Sequence, residues 1–314
     1  MSGEPSRKTT FSFELYPPRN ESAQAALFES LEHLIAVGPE FISVTYGANG
    51  SSRTTSLALL AHLLRHSTFT PMAHLTCVGS STAEASRLIR EFLDAGITSF
   101  LALRGDPPQG AHEGEEFLGD LRSAGELVQL IHRVQAERVP FSLDPVPGFP
   151  GAKRVEKGHK VTIAVAAFPN GHPNSRSAEQ DIDTLLAKEA AGANLAITQL
   201  FFHADEYLGF VEKAREAGVT MRILPGIMPV LSPQRLKRIL ELTGEANPVD
   251  LERALLAVEG PEAQAAVGIG HAAALGREVL DGGASGLHLY TFNRHEAVLA
   301  VLERLGLLVA RESA

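Results

Sequence analysis

Tryptophan is absent from the 314 residues, cysteine occurs once, at Cys77, and aromatic residues make up only 6%. A lone cysteine excludes an internal disulfide framework, and with it cysteine-based zinc sites and iron–sulfur clusters held by this chain. Positive charge is also scarce: 28 Lys and Arg stand against 37 Asp and Glu, for a net charge of −9. That balance argues against a nucleic-acid surface. No apolar run reaches the roughly 18 residues of a membrane span, and the start MSGEPSRKTT lacks the apolar core of a signal peptide. A cytoplasmic protein without membrane or nucleic-acid partners is expected. Walker A and G-x-S-x-G sequences are missing, and no His/Asp/Glu set has metal-ligand spacing, so no metal is expected. Residues 268–273 imitate a dinucleotide-binding glycine motif, but they follow the helix-like run EAQAAV rather than a strand.

What the chain does have is alternation. Eight apolar, β-rich runs occupy 11–15, 41–47, 71–77, 100–105, 161–168, 195–201, 222–227 and 286–292. Several are continuously apolar, as parallel strands covered on both faces require. Between them lie amphipathic patterns such as Leu27, Leu31, Leu34, Ile35 and Leu88, Ile89, Phe92, Leu93, the second preceded by the capping candidates Ser81 and Thr82. Gly38, Gly96, Gly192, Gly218 and Gly283 each stand after a helical stretch and before a strand, where a left-handed C-cap belongs. Eight βα units predict an α/β fold, a (β/α)8 TIM barrel forming a single domain over 1–314. Two stretches break the rhythm. Residues 136–160, rich in Pro and Lys/Arg, read as a long loop or a lid over the site. Residues 233–282 read as several extra helices before the last strand.

Barrel chemistry sits at the C-terminal strand ends and in the loops that follow them. Those positions hold Glu14, Thr45, His74, Arg104, Gly105, Asp106, His172, Gln199, Tyr290 and Arg294. Each has a plain structural reading: a solvated carboxylate, an Arg104–Asp106 surface pair, satisfied histidines. The functional reading makes a desolvated Glu14 an acid with a raised pKa. It uses Gly105 for close backbone approach to a ligand and Gln199 as an amide for a heterocycle edge.

Taken together, FSFELYPPR (11–19), ISVTYGANGSSR (42–53), HLTC (74–77), ALRGDPP (102–108), FPNGHPNS (168–175), AGANLAITQLFF (191–202), LPGIMPV (224–230) and HLYTFNR (288–294) resemble the catalytic barrel of the 5,10-methylenetetrahydrofolate reductases. The eight segments fall in the family's order along nearly the full chain. The resemblance implies an FAD flavoprotein that takes a hydride from NADH or NADPH and reduces methylenetetrahydrofolate to 5-methyltetrahydrofolate in one-carbon and methionine metabolism. It further implies a ping-pong scheme and a homo-oligomer. Glu14 matches the family's general acid for opening the folate's imidazolidine ring. Asp106 matches the acid near flavin and pterin, and Gln199 the amide that hydrogen-bonds the pterin. Thr45, His74, Arg104, Gly105, Ala124, Ala166, Phe168, His172, Asp181, Lys188 and Tyr290 fall on flavin-contacting positions, and Arg294 on a cation suited to the glutamate tail.

The chain departs from the family at three of these places. Phe168 and Ser123 stand where tyrosines are usual, and Pro233 where an aromatic is usual. Two alternatives follow. Electrons could come from a partner iron–sulfur protein, or flavin could bind weakly. A non-catalytic folate- or flavin-binding barrel is the other, and the joint presence of Glu14, Asp106 and Gln199 argues against it.

Overall fold

The computed structural model describes residues 9–18, 20–45, 51–106, 117–138, 143–145, 153–155 and 161–308, and for 51–54, 143–145 and 153–155 the backbone only. The first half alternates β1 (Thr10–Leu15), α1 (Glu21–Ala36), β2 (Ile42–Val44), α2 (Ser51–His66), β3 (Met72–Thr76), α3 (Thr82–Asp94), β4 (Ser99–Leu103) and α4 (Ala124–Arg138). A short pair follows, β5 (Leu143–Pro145) and β6 (Lys153–Val155). Then come β7 (Thr162–Ala167), α5 (Ala178–Ala190), β8 (Leu195–Leu200), α6 (Ala204–Glu216) and β9 (Arg222–Ile227). Three helices, α7 (Pro233–Thr243), α8 (Val249–Leu256) and α9 (Pro261–Asp281), precede β10 (Gly286–Tyr290) and α10 (Glu296–Arg304).

Eight strands close into one parallel barrel in the order β1-β10-β9-β8-β7-β4-β3-β2. All eight expected strands are present, and the extra helices before the last strand are α7, α8 and α9. The stretch 136–160 differs from the expected loop: α4 runs on to Arg138, and β5 and β6 pair antiparallel outside the barrel. The lid reading falls on residues mostly outside the described ones.

Local chemistry explains the elements. Ser81 caps α3 in a full capping box with Glu84. All five glycines singled out after helices have positive φ, between 69° and 111°. Gly268 lies inside α9, where a Cβ would overlap the Val230 carbonyl. Its role is therefore close packing of α9 on the end of β9, with no dinucleotide turn.

Strand alternation sorts side chains into two apolar layers and one polar one. Phe11, Phe13 and Leu15 of β1 point outward into the core shared with the helices, where Leu31, Ile89 and Phe92 meet them. A smaller cluster of Phe41, Met72, Leu101, Ile197 and Leu224 fills the barrel. On the other face of β1 lie Ser12 and Glu14. Arg222 ties the lower rim, reaching Glu40, Thr10 and Ser285. The polar residues left over collect at the upper rim.

Candidate active site

Glu14 lies in register with Ser43 of β2 on one side and Tyr290 of β10 on the other. Its carboxylate Oε2 is 3.8 Å from His74 Nε2 and 3.7 Å from His288 Nε2, just beyond direct hydrogen-bond length. Both imidazoles are buried, and among the described residues these two nitrogens, with Ser43 Oγ, have no hydrogen-bond partner. His288 Nδ1 is 2.8 Å from Ser12 Oγ, which donates to the Leu287 carbonyl. The Glu14 side chain is 22% exposed. Burial pushes the Glu14 carboxyl up, but the His288 and His74 imidazoles outweigh burial and hold it below the ordinary carboxylate value. The expected rise is therefore reversed: Glu14 is ionised at neutral pH. Burial holds His74 below the usual imidazole range, against the pull of Glu14.

The opposite wall, from β4 and β7, is cationic. Lys188 reaches back from the last turn of α5 to donate to the Ala166 carbonyl at 2.8 Å, and it lies 6.0 Å from the Phe168 ring. Burial drives its pKa down to about 8; Asp181 opposes this and Arg104 adds to it. The His172 ring meets Phe168 edge-on at 4.7 Å, and its Nδ1 accepts the Asn174 N–H. Burial and Arg104 lower its pKa, while Asp181 and Asp106 oppose them. Asp181 is engaged by the Ser175 hydroxyl and the His172 N–H.

Other expected residues fall into place with local reasons. Asp106 is exposed on the rim, and among the described residues no ion pair joins it to Arg104, so the surface-pair reading fails. Gly105 has φ 86°, and a Cβ there would sit 2.5 Å from Val78; its tight approach is to the chain after β3. The Thr45 N–H bonds Leu15 and its carbonyl accepts the Ser56 hydroxyl, which fixes the backbone beyond β2. Ala124 is buried at the start of α4. Beside it the Ser123 hydroxyl accepts the Glu126 N–H, as an N-cap does. Pro233 occupies the first turn of α7 behind the N-cap Ser232, a position that favours proline. Gln199 sits in a register shift of β8, its amide oxygen accepting the Leu200 N–H. Next to it the Tyr290 hydroxyl donates to the Thr198 carbonyl at 2.9 Å. A Cβ on Gly226 would overlap that carbonyl and lie 2.8 Å from the Tyr290 ring, so glycine is required there. Burial, aided by Glu14, raises the Tyr290 phenol well above its ordinary value.

His74, expected on the cofactor, lies beside Glu14 at the mouth. Sequence reasoning missed Ser12, Ser43 and His288. Their signal is period two: Ser12 is two residues before Glu14, and His288 two before Tyr290. It also missed Arg235 and Phe292, which adjoin Arg294. Among the described residues no cluster of three His, Cys, Asp or Glu could hold a metal, and no helix is long and apolar enough to cross a membrane.

Fold and site together define a (β/α)8 barrel whose mouth sets a carboxylate beside two buried imidazoles on one wall and a cationic surface on the other. The chain belongs to the methylenetetrahydrofolate reductase family, whose profile matches residues 2–306. It is 32% identical over 314 aligned positions to the probable methylenetetrahydrofolate reductase (NADH) of rice, covering 96% of this chain and 49% of that one. It is 30% identical to the 5,10-methylenetetrahydrofolate reductase of Escherichia coli K12, covering 94% of this chain and 90% of that one. The chain thus spans about half the length of the plant relatives and most of the bacterial one. Among solved structures, an uncharacterized Clostridium thermocellum protein that binds two copies of 5-methyl-5,6,7,8-tetrahydrofolic acid shares the fold. Its TM-score is 0.58 at 13% identity, with 95% of this chain and 94% of that one covered.

Proposed function

We propose that this protein reduces 5,10-methylenetetrahydrofolate to 5-methyltetrahydrofolate with electrons from NADH or NADPH through FAD. On this reading residues 1–314 form one cytoplasmic catalytic domain, which works as a homo-oligomer and serves one-carbon metabolism and methionine synthesis. The observation that carries it is the Glu14 carboxylate, partly exposed and set beside two buried imidazoles. The name of the rice relative favours NADH as the donor.

The residues fit a flavin dinucleotide through the cationic wall. Lys188 is buried enough to lose proton affinity, which a diphosphate would restore. Lys188, Arg104 and His172 would hold the diphosphate, Phe168 would offer a ring face, and Asp106 would place a negative charge at the rim. Thr45, His74, Gly105, Ala124, Ala166, Asp181 and Tyr290 would add further flavin contacts around the mouth. When bound, FAD supplies the two-electron carrier between the nicotinamide and the folate.

The protein's own part is proton handling. A folate entering the mouth would cover the exposed part of Glu14 and strengthen burial, the influence that raises its proton affinity. The carboxylate takes up a proton from solvent as burial deepens, and the carboxyl then gives that proton to the amine nitrogen that leaves as the imidazolidine ring opens. The carbon that will accept hydride thereby becomes cationic, and Asp106 stabilises that charge. Gln199 presents its amide to the pterin edge, and Arg294 meets the glutamate tail. Two substrates using one mouth in turn give ping-pong kinetics. The experiment is anaerobic stopped-flow: a yellow chromophore bleached by NADH and restored by methylenetetrahydrofolate supports the reading. Bleaching only by an iron–sulfur partner, or no turnover of folate, overturns it.

A further inference from the structure

The connection between the extra helices α7 and α8 reaches the cationic wall of the mouth. α7 ends at Gly244, whose φ of 74° makes a left-handed C-cap and whose N–H bonds the Leu240 carbonyl. Glu245 comes next, its N–H given to the Thr243 hydroxyl, which itself donates to the Ile239 carbonyl. The backbone at Glu245 is thereby fixed. Its carboxylate accepts Asn170 Nδ2 at 2.8 Å, from a residue 75 positions earlier in the chain.

Asn170 belongs to the turn after β7 that carries Phe168 and His172. Two backbone bonds close that turn, from the Gly171 N–H to the Phe168 carbonyl and from the Ser175 N–H to the His172 carbonyl. Gly171 has φ 89°, and a Cβ there would lie 3.5 Å from Asp181 Oδ2. Asp181 of α5 holds the second half of the turn through the His172 N–H and the Ser175 hydroxyl. The first half is held through Asn170 by Glu245. Burial and the nearby Glu206 carboxylate push the half-buried Glu245 carboxyl up, and Asn170 opposes them. Glu206 is itself committed to the Phe202 and His203 N–H groups. A carboxylate partly out of water beside a second one needs a donor, and Asn170 supplies it.

We propose that Glu245 is a positioning residue: through Asn170 it holds the turn that sets Phe168 and His172 beside Lys188, and so pre-orders the cationic wall for FAD. Phe168 is the ring that both Lys188, at 6.0 Å, and His172, edge-on at 4.7 Å, approach, so a shift of the turn moves all three relations at once. A turn ordered in advance loses less conformational freedom when the ligand arrives, and the difference appears as affinity. The stretch that interrupts the βα rhythm before the last strand thereby acts on the wall from outside it. The inference rests on the flavin reading above.

The test is equilibrium binding of FAD to the flavin-free full chain. Glu245→Ala is expected to weaken FAD binding about three- to tenfold, the net scale of one hydrogen bond. Loss of a negative charge would by itself favour an anionic dinucleotide, so the expected change runs against the charge effect. Asn170→Asp sets two carboxylates face to face and is expected to weaken binding as well. Combined with Glu245→Gln, it exchanges donor and acceptor at unchanged net charge, and affinity is expected to return to within about twofold of the unsubstituted protein. FAD affinity unchanged or improved in Glu245→Ala, whatever the melting temperature does, overturns the inference. So does a double variant that binds no better than Asn170→Asp alone. Failure of the unsubstituted protein to bind FAD overturns the flavin reading itself.

Discussion

The two walls of the barrel mouth respond to burial in opposite ways. On the β1, β3 and β10 wall, burial raises Glu14 but the imidazoles of His288 and His74 win, and the carboxylate keeps its charge. On the β4 and β7 wall, burial lowers Lys188 to about 8 and the nearby Asp181 does not restore it. The first charge is completed by the protein's own residues. The second is incomplete until an anion arrives. A buried charge left short of compensation marks where the missing partner binds, and a compensated one marks a group kept ready for chemistry.

Removing the charge on the first wall should have the largest effect. Glu14→Gln is expected to slow the folate half-reaction by about a thousandfold, within the range for a lost general acid. Reduction by NADH should change less than about twofold, because that step needs no acid. Stopped-flow traces of the two half-reactions decide it; equal losses in both would dissolve the distinction between the walls.

On the second wall, Lys188→Met should weaken FAD binding by about 10- to 100-fold, as expected for losing one buried charge-assisted contact. The same substitution should stabilise the flavin-free protein by about 1–3 kcal/mol, because it removes a buried cation whose proton affinity has fallen. The pH dependence has a definite sign. The unfolded chain binds a proton at Lys188 up to its ordinary value of 10.5, whereas the folded protein releases it near 8. Stability of the flavin-free protein should therefore rise between about pH 8 and 10.5, and Lys188→Met should abolish that component. Urea titrations across this range measure both effects; a pH profile unchanged by the substitution would show that Lys188 is not the uncompensated charge.

How much of this asymmetry could be read without coordinates depends on its physical source. The barrel strands were legible because parallel strands buried on both faces are continuous apolar runs, as in residues 161–168. The pair β5 and β6 was not: three-residue strands lying among Pro140, Pro145, Pro147 and Pro150 carry no period. Glu14 stood out as a carboxylate between Phe13 and Leu15. Its ionisation did not, because that depends on His288, 274 positions away in sequence and brought close only when β1 closes against β10. Family membership follows from short ordered segments. The Ser123 and Pro233 departures acquire a reason only once each is seen at a helix start.

A subtler change tests what keeps Glu14 charged. His74→Leu takes away one of the two imidazoles while filling the same buried space. Burial should then gain on the remaining His288, and the Glu14 carboxyl should keep its proton to higher pH. The alkaline limb of the folate half-reaction is expected to move upward, with the rate on that side rising severalfold. NADH reduction should stay unchanged. A pH–rate profile that does not move, or one that moves equally in a Glu14→Gln background, would show that His74 packs beside the acid without tuning it.

The smallest effect concerns the turn between the acid wall and Arg294. Phe292 holds φ 50° because Tyr16, Thr291 and Asn293 fasten its turn to the chain after Glu14. Glycine adopts that φ freely, so Phe292→Gly should relieve strain, while its greater freedom in the unfolded chain and the lost packing act against it. Relief of about 1–3 kcal/mol at a left-handed bulky residue is set against about 0.5–1 kcal/mol of chain freedom and the packing of the half-buried ring, so the variant should change in stability by less than about 1 kcal/mol. Folate binding should weaken over the same change, since the ring beside Arg235 is gone. Thermal unfolding of the flavin-loaded protein, followed alongside 5-methyltetrahydrofolate titration, measures both. A gain in stability with a loss in binding would mean that the turn is strained for the sake of the ligand. A loss in both would make Phe292 ordinary packing and confine the functional surface to the two walls of the mouth.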